Sequence, residues 1–406
     1  MSAGPCVKPR ARAASLSVLL RSWLLVSLAF PCAAAPVAGP APAPAPPGPT
    51  RNVILVTLDG VRVQEVFGGL DEAIAVHDEQ QIYSDMAAMR ARFGGATAEA
   101  RREALLPNFW KTLAPLGMVL GNPAHGNHVK VQNSVLWSTP GYTEIMTGLP
   151  RPEVRDNDNL RHPYPTALEF AREGLGLGYH EVAQLGSWEG FRLAAASRDD
   201  AFVMVGAHDS VPAPWGTAEI DLLAELRNEV MGLWEEGSND ALTYRMARAY
   251  LRQNRPRVLW LALVNSDDWG HADRYDRYLA YLSQADAQIG DLWSTLQSMD
   301  EYRDRTTLIV TTDHGRGLQG SDWAEHDVTI PGSDDIWLAV VGPDTPDLGE
   351  VREPGTLYQG QVAGTLLQFL GLDVRELDPQ ALPPVPGSLA PSPGTSQKAA
   401  QTESAP

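Results

Sequence analysis

Short apolar runs rich in β-branched residues recur at 52–58, 117–121, 181–185, 257–264, 307–312 and 336–341. They are apolar at nearly every position rather than at every second one. That is the pattern of strands buried on both faces, and it predicts a mainly parallel sheet. Between the runs the period changes. From Tyr278 onward, Leu279, Leu282, Ala285, Ile289, Leu292, Trp293 and Leu296 recur on one helical face, with Asp286, Gln288 and Asp291 on the other. Similar spacing over 165–174, 217–231, 239–253 and 358–370 predicts further helices. Alternating strands and helices predict an α/β fold, a doubly wound, mainly parallel sheet flanked by helices. Residues 69–116 and 186–216 fit the alternation poorly and are expected to be cap insertions that choose the substrate.

Composition sets the boundaries. Lys8, Arg10, Arg12 and Arg21 accompany an apolar stretch, Ser22 to Phe30, and small residues follow at Ala33 to Ala35. Residues 1–34 therefore read as an export signal, and the mature protein is expected to be periplasmic or secreted. The apolar stretch is too short to span a bilayer, which takes about 20 residues. Pro31, just before Cys32, argues against a lipid anchor. An Ala/Pro-rich linker is expected over 35–50, one catalytic domain over 51–376, and a disordered tail over 377–406. Both cysteines, Cys6 and Cys32, fall in the signal, so the mature chain has no disulfide. Setting aside its four basic groups takes the net charge from −18 to −22. Such acidity argues against nucleic acid as a bulk partner.

The chemistry-bearing residues stand mostly where apolar runs end. Asp59 follows the first run, and Asp267 and His271 follow the fourth in Asp-x-x-Gly-His. Asp313 and His314 follow the fifth, and His326 comes twelve positions after His314. Ser138 opens a Ser-Thr-Pro-Gly segment before a helix-like run. Each has a plainer reading: an Asp-Gly turn, a helix cap with Pro140 at the first position, a loop histidine. In open α/β sheets, however, ligands bind outside the carboxyl ends of the strands. Brought together there, these groups would form a two-metal site with a serine nucleophile, which is chemistry for phosphoryl transfer. Asp268 is a neighbouring carboxylate with at most a lining role.

The motifs Val-Thr-Leu-Asp59-Gly, Ser138-x-Pro-Gly-Tyr-x-Glu-Ile-Met-Thr-Gly148, Asp267-x-x-Gly-His271, Thr-Asp313-His314-Gly and His326 resemble those of the alkaline phosphatase superfamily. Its nucleotide pyrophosphatase/phosphodiesterase-like and phosphoglyceromutase-like members are the nearest in pattern, and the resemblance spans about 51–345. It implies that Asp267, His271 and His326 hold one metal, and that Asp59, Asp313, His314 and the nucleophile Ser138 hold the other. Two divalent ions are implied, with Zn²⁺ ahead of Mn²⁺. The family's phosphoryl-contacting Asn corresponds to Asn157 or Asn159, and the sequence leaves both open. A small phosphorylated substrate follows, monoester or diester, with phosphonate hydrolysis as a variant. A sulfatase would need Arg where Tyr142 stands. A phosphoglyceromutase-like transferase would need a second domain, but only 129 positions separate Ser138 from Asp267. An inactive metal-binding protein is disfavoured because all seven positions carry competent residues. Arg155, Arg161 and Arg316 are the cations nearest in sequence that could favour monoesters.

Overall fold

The computed structural model describes residues 49–158 and 160–390. Its strands are β1 (Asn52–Leu58), β2 (Gly117–Leu120), β3 (Asn127–Lys130), β4 (Val182–Gly186), β5 (Val203–Val205), β6 (Val258–Leu263), β7 (Thr306–Thr311), β8 (Asp335–Ile336), β9 (Leu338–Val341), β10 (Gly349–Glu350) and β11 (Gly355–Tyr358). Its helices are α1 (Val63–Gly68), α2 (Glu72–Asp78), α3 (Met86–Phe93), α4 (Ala98–Leu105), α5 (Ser138–Thr147), α6 (Ala167–Gly174) and α7 (Glu189–Ala194). They continue with α8 (Ala218–Glu229), α9 (Asp240–Asn254), α10 (Asn265–His271), α11 (Tyr275–Ser298), α12 (Gln361–Phe369) and α13 (Val374–Leu377).

Eight strands form one sheet in the order β10-β2-β9-β7-β1-β6-β4-β5. From β7 to β5 the pairings are parallel, and β9 runs antiparallel to both β7 and β2. The mainly parallel α/β architecture read from the apolar runs is therefore present. A small second sheet pairs β11, β3 and β8.

Alternation along β1 shows how the layers form. Ile54, Val56 and Leu58 point into one apolar cluster with α11, while Val53 and Leu55 point into another with α5, α6 and α12. All seven β1 residues are buried, and only Asn52 and Thr57 among them are polar. Leu58 pairs with Leu263 on β6, and Thr57 pairs with Thr311 on β7. Three neighbouring strands thus end level, at the middle of the sheet.

Two expectations are corrected. Asp286, assigned to the polar face of α11, is buried and accepts bonds from Asn108 N at 2.9 Å and Phe109 N at 2.7 Å. Four positions after Leu282 and three before Ile289, Asp286 shares their buried face, against which residues 69–116 supply α2 to α4 and pack Phe93, Leu105 and Trp110. Nor does the chain fray from 377. Ala381 and Val385 are buried, Leu382 N donates to Gly148 O at 3.0 Å, and Val385 N donates to Thr365 Oγ1 at 2.9 Å. The rest of the expected tail, and residues 1–34, lie outside the described residues.

Candidate metal centre and nucleophile

Each carboxyl end of the three central strands delivers part of one site. Asp59 follows β1, with its N–H bonded to Leu263 O at 2.9 Å. Asp313 and His314 follow β7 and are fully buried. After β6 the chain enters α10 at once, so Asp267 and His271 lie one helical turn apart on a single face. His326 comes from the loop after the turn at Gly320–Ala324.

Among the described residues, two groups bring ligand-type atoms within 4.8 Å of one another: Asp59, Asp313 and His314, and Asp267, His271 and His326. Within the first, His314 Nε2 is 3.4 Å from Asp59 Oδ1 and 3.3 Å from Asp313 Oδ2. Within the second, His271 Nε2 is 3.3 Å from Asp267 Oδ2. Asp267 Oδ1 lies 3.9 Å from both His314 Nε2 and His326 Nε2, so this carboxylate stands between the groups.

The donor atoms fit divalent cations. Asp59 Oδ2 and Asp313 Oδ2 are buried without a hydrogen-bond partner. The histidines have their other nitrogens engaged: His314 Nδ1 donates to Gly315 O at 3.0 Å, and His326 Nδ1 donates to Leu136 O at 2.6 Å. His271 Nδ1 faces Glu325 Oε2 at 3.6 Å. The two carbonyl partners leave Nε2 of His314 and of His326 as a bare lone pair aimed inward. His271 Nε2 lies 3.0 Å from His326 Nε2, close enough for both to reach one cation.

The acidities reflect the same crowding. Burial pushes the carboxyls of Asp59 and Asp313 well up, with the neighbouring carboxylates adding to it. Burial pushes Asp267 up too, but Arg316 beside it outweighs this and holds that carboxyl well below the usual range. Burial and His314 keep the His326 imidazole neutral.

Ser138 is the first residue of α5, after Trp137 as the cap. The cap bond from Ser138 that the sequence suggested is not made. Instead Asn157 Oδ1 accepts from Thr139 N at 2.9 Å. The Ser138 hydroxyl is thereby left to face Asp59 Oδ1 and His314 Nε2, each at 3.5 Å. Gly141 permits this approach, because a Cβ there would lie 2.9 Å from Asp313 O. Since the Asn157 oxygen faces the Thr139 N–H, its Nδ2 is turned the other way. Asn159 lies outside the described residues.

Asp268 stays apart from both groups, accepting from Asn265 Nδ2 at 2.8 Å. Burial, with Asp240 and Asp267 nearby, raises its carboxyl to about 8. Arg161 is spent on Ala196 O at 2.6 Å and on Asp199, and Arg155 is exposed. Arg316 is buried against Asp267. Glu325 and Gln359, whose Nε2 donates to Asp313 O at 2.5 Å, support the site but carry no sequence pattern that would single them out.

The chain has an alkaline-phosphatase-like fold that gathers two groups of metal-ligand residues, as the motifs led one to expect. A model of the metalloenzyme superfamily matches residues 228–374. The chain is 31% identical over 129 residues to a 2,3-bisphosphoglycerate-independent phosphoglycerate mutase from Natronomonas pharaonis, covering 31% of this chain and 24% of that one. It thus spans about a quarter of that relative's length. Among solved structures it is similar to an alkaline phosphatase, PafA, with a TM-score of 0.52 and 10% identity over 82% of this chain and 97% of that one. A phosphonate monoester hydrolase from Silicibacter pomeroyi gives a TM-score of 0.51 and 13% identity, over 85% and 78% of the two chains. BT4656, solved with D-glucosamine-2-N,6-O-disulfate, gives 0.52 and 14%, over 87% and 82%. At these identities the likeness is one of fold.

Proposed function

We propose that the protein is an exported hydrolase of small phosphate esters, working through Ser138 with two divalent cations, Zn²⁺ first and Mn²⁺ as the alternative. The observation that carries this reading is the Ser138 hydroxyl, released from capping and lying 3.5 Å from groups of both ligand types, Asp59 and His314. Bound in the two clusters, such ions would supply Lewis acidity, lowering the pKa of the hydroxyl and of water and stabilising the departing oxygen.

The chain's own residues account for the rest. Ser138 Oγ forms a bond to phosphorus as the ester oxygen leaves, and the hydroxyl proton goes to solvent. Water then breaks the Ser138–phosphorus bond and restores the serine. Asn157 Nδ2 donates to a non-bridging oxygen, part of the stabilisation of developing charge. The N-terminal amides of α5 favour the anion.

Two rivals fit less well. Between Ser138 and Asp267 the chain is used by α5 to α9 and by β4, β5 and β6, all packed into the one α/β unit. This weighs against a mutase with a second domain there. Tyr142, where a sulfatase would place Arg, is buried against Phe191 and Trp260 with ring centroids at 4.9 and 5.6 Å.

The test is a comparison of p-nitrophenyl phosphate, bis-p-nitrophenyl phosphate and p-nitrophenyl sulfate on protein lacking residues 1–34. Wild type and Ser138→Ala are compared at known metal content. Turnover of a phosphate ester that Ser138→Ala abolishes supports the reading, and the preferred ester sets the subclass. Activity indifferent to Ser138 refutes it. Recovery of the mature chain outside the cytoplasm, starting near Ala35, tests the export.

A further inference from the structure

Arg316 is wholly buried yet belongs to neither ligand group. Its Nη2 donates to Asp267 Oδ1 and, at 3.0 Å, to the Asp267 carbonyl. Its Nη1 donates to Ala324 O at 2.5 Å, and its Nε has no partner. The surroundings are shaped around it. A Cβ at Gly270 would stand 2.5 Å from the Arg316 Cζ and 2.7 Å from Nε and Nη1, so a larger residue there would displace the guanidinium. A guanidinium stays charged at any pH the protein meets. A buried charge needs a counter-charge, and Asp267 supplies it.

The two groups therefore differ in charge. Asp59 and Asp313 offer two carboxylates, and a metal-bound imidazole of His314 adds no charge to them. In the other group the single carboxylate of Asp267 is already matched by Arg316, and metal-bound imidazoles of His271 and His326 likewise add none. A divalent ion joining the first group is fully compensated there. One joining the second brings two positive charges into a group that is already neutral overall. A phosphoryl anion lodged at Ser138 would remove that excess.

Resting on the two-metal reading above, we infer that Arg316 makes metal loading sequential. The Asp59, Asp313 and His314 group fills first, and the Asp267, His271 and His326 group fills together with the anion. Linkage makes the effect reciprocal: the anion raises affinity for the second ion by the factor by which that ion raises affinity for the anion. Arg316 acts through Asp267 and is a positioning residue.

Equilibrium dialysis of the protein against Mn²⁺, with bound metal counted per chain, tests this without recourse to activity. Electron paramagnetic resonance of the same samples reports whether two ions are adjacent. In wild type without phosphate, one ion should bind before the other over a concentration range of roughly tenfold or more, a gap of at least 1.4 kcal/mol. Inorganic phosphate should pull the second ion in at lower Mn²⁺ and bring up an exchange-coupled signal. Arg316→Gln should close the gap without phosphate, whereas Arg316→Lys, which keeps the charge, should retain it. If Arg316→Gln does not fold, the wild-type titrations still decide. Two ions of like affinity, indifferent to phosphate, overturn the inference and leave the two-metal reading standing. A single ion at every phosphate concentration overturns the inference, and no bound ion at all overturns the two-metal reading itself.

Discussion

Asn157 separates a structural from a chemical role more cleanly than any other residue of the site. Its Oδ1 accepts the Thr139 N–H at 2.9 Å, satisfying one of the amides that a helix start leaves open. Its Nδ2 is the group assigned to the phosphoryl oxygen. Asn157→Asp keeps an acceptor for Thr139 and replaces the donor with a negative charge. The fold should lose little, because a carboxylate caps a helix start at least as well as an amide. Transition-state binding should lose the donor, for which about 3 kcal/mol is typical. Repulsion adds to this, because two unit charges about 4 Å apart at an effective dielectric near 20 interact by about 4 kcal/mol. A fall in kcat/KM for p-nitrophenyl phosphate of roughly 10³-fold or more is expected, with the melting temperature changed by only a few degrees. Asn157→Ala should lose about 10²-fold, and it should also lower stability by about 1 kcal/mol as the cap is lost. Steady-state kinetics with thermal denaturation of the three proteins would check this. Asn157→Asp retaining activity within about threefold would refute the role of Nδ2.

Other outcomes follow from the same geometry. Asp267→Asn should lower the bound metal per chain, while Asp268→Asn, one residue away and turned toward Asn265 at 2.8 Å, should leave it unchanged; metal analysis after dialysis distinguishes them. Asp240 is fully buried and its carboxyl is raised to about 6, chiefly by burial. The folded chain therefore holds a proton that the unfolded chain releases near 3.8, so this contribution is complete below about pH 4 and is lost as pH rises through about 6. Its size is about 3 kcal/mol, and the pH dependence of denaturant unfolding should flatten over that window in Asp240→Asn. Ending the chain after Leu377 removes Val385, buried beside α12, and the bonds to Gly148 and Thr365. A loss of at least 2 kcal/mol in the unfolding free energy is expected, about the burial of one such side chain plus a hydrogen bond.

The layout of this site was legible in the sequence for a physical reason. Strands buried on both faces are continuous apolar runs, so the first polar residue after each run marks the carboxyl end of a strand, where sites form. Asp59, Asp267 and Asp313 stand at or just beyond such places, and the sheet order sets their strands side by side. Strands without that signature were missed: β5 is three residues long, and β11 is largely exposed. Asp286 stands four positions after Leu282 and three before Ile289, so the 3.6-residue period itself sets it on their buried face, where Asn108 and Phe109 offer it N–H donors. The stretch 377–390 reads as disordered by its Pro and Ala content, yet Leu382 docks it onto the end of α5 and Val385 onto the middle of α12. Arg316 sits beside a motif without belonging to its pattern, and only the fold reveals that it neutralises Asp267.

The central claim is that Ser138 carries the phosphoryl group. Acid quenching during turnover of p-nitrophenyl phosphate, followed by peptide mass spectrometry, tests it most directly. One phosphate is expected on the peptide containing Ser138, absent from Ser138→Ala, which should also be inactive. Sustained hydrolysis by Ser138→Ala, or a phosphate trapped on another residue, would contradict it.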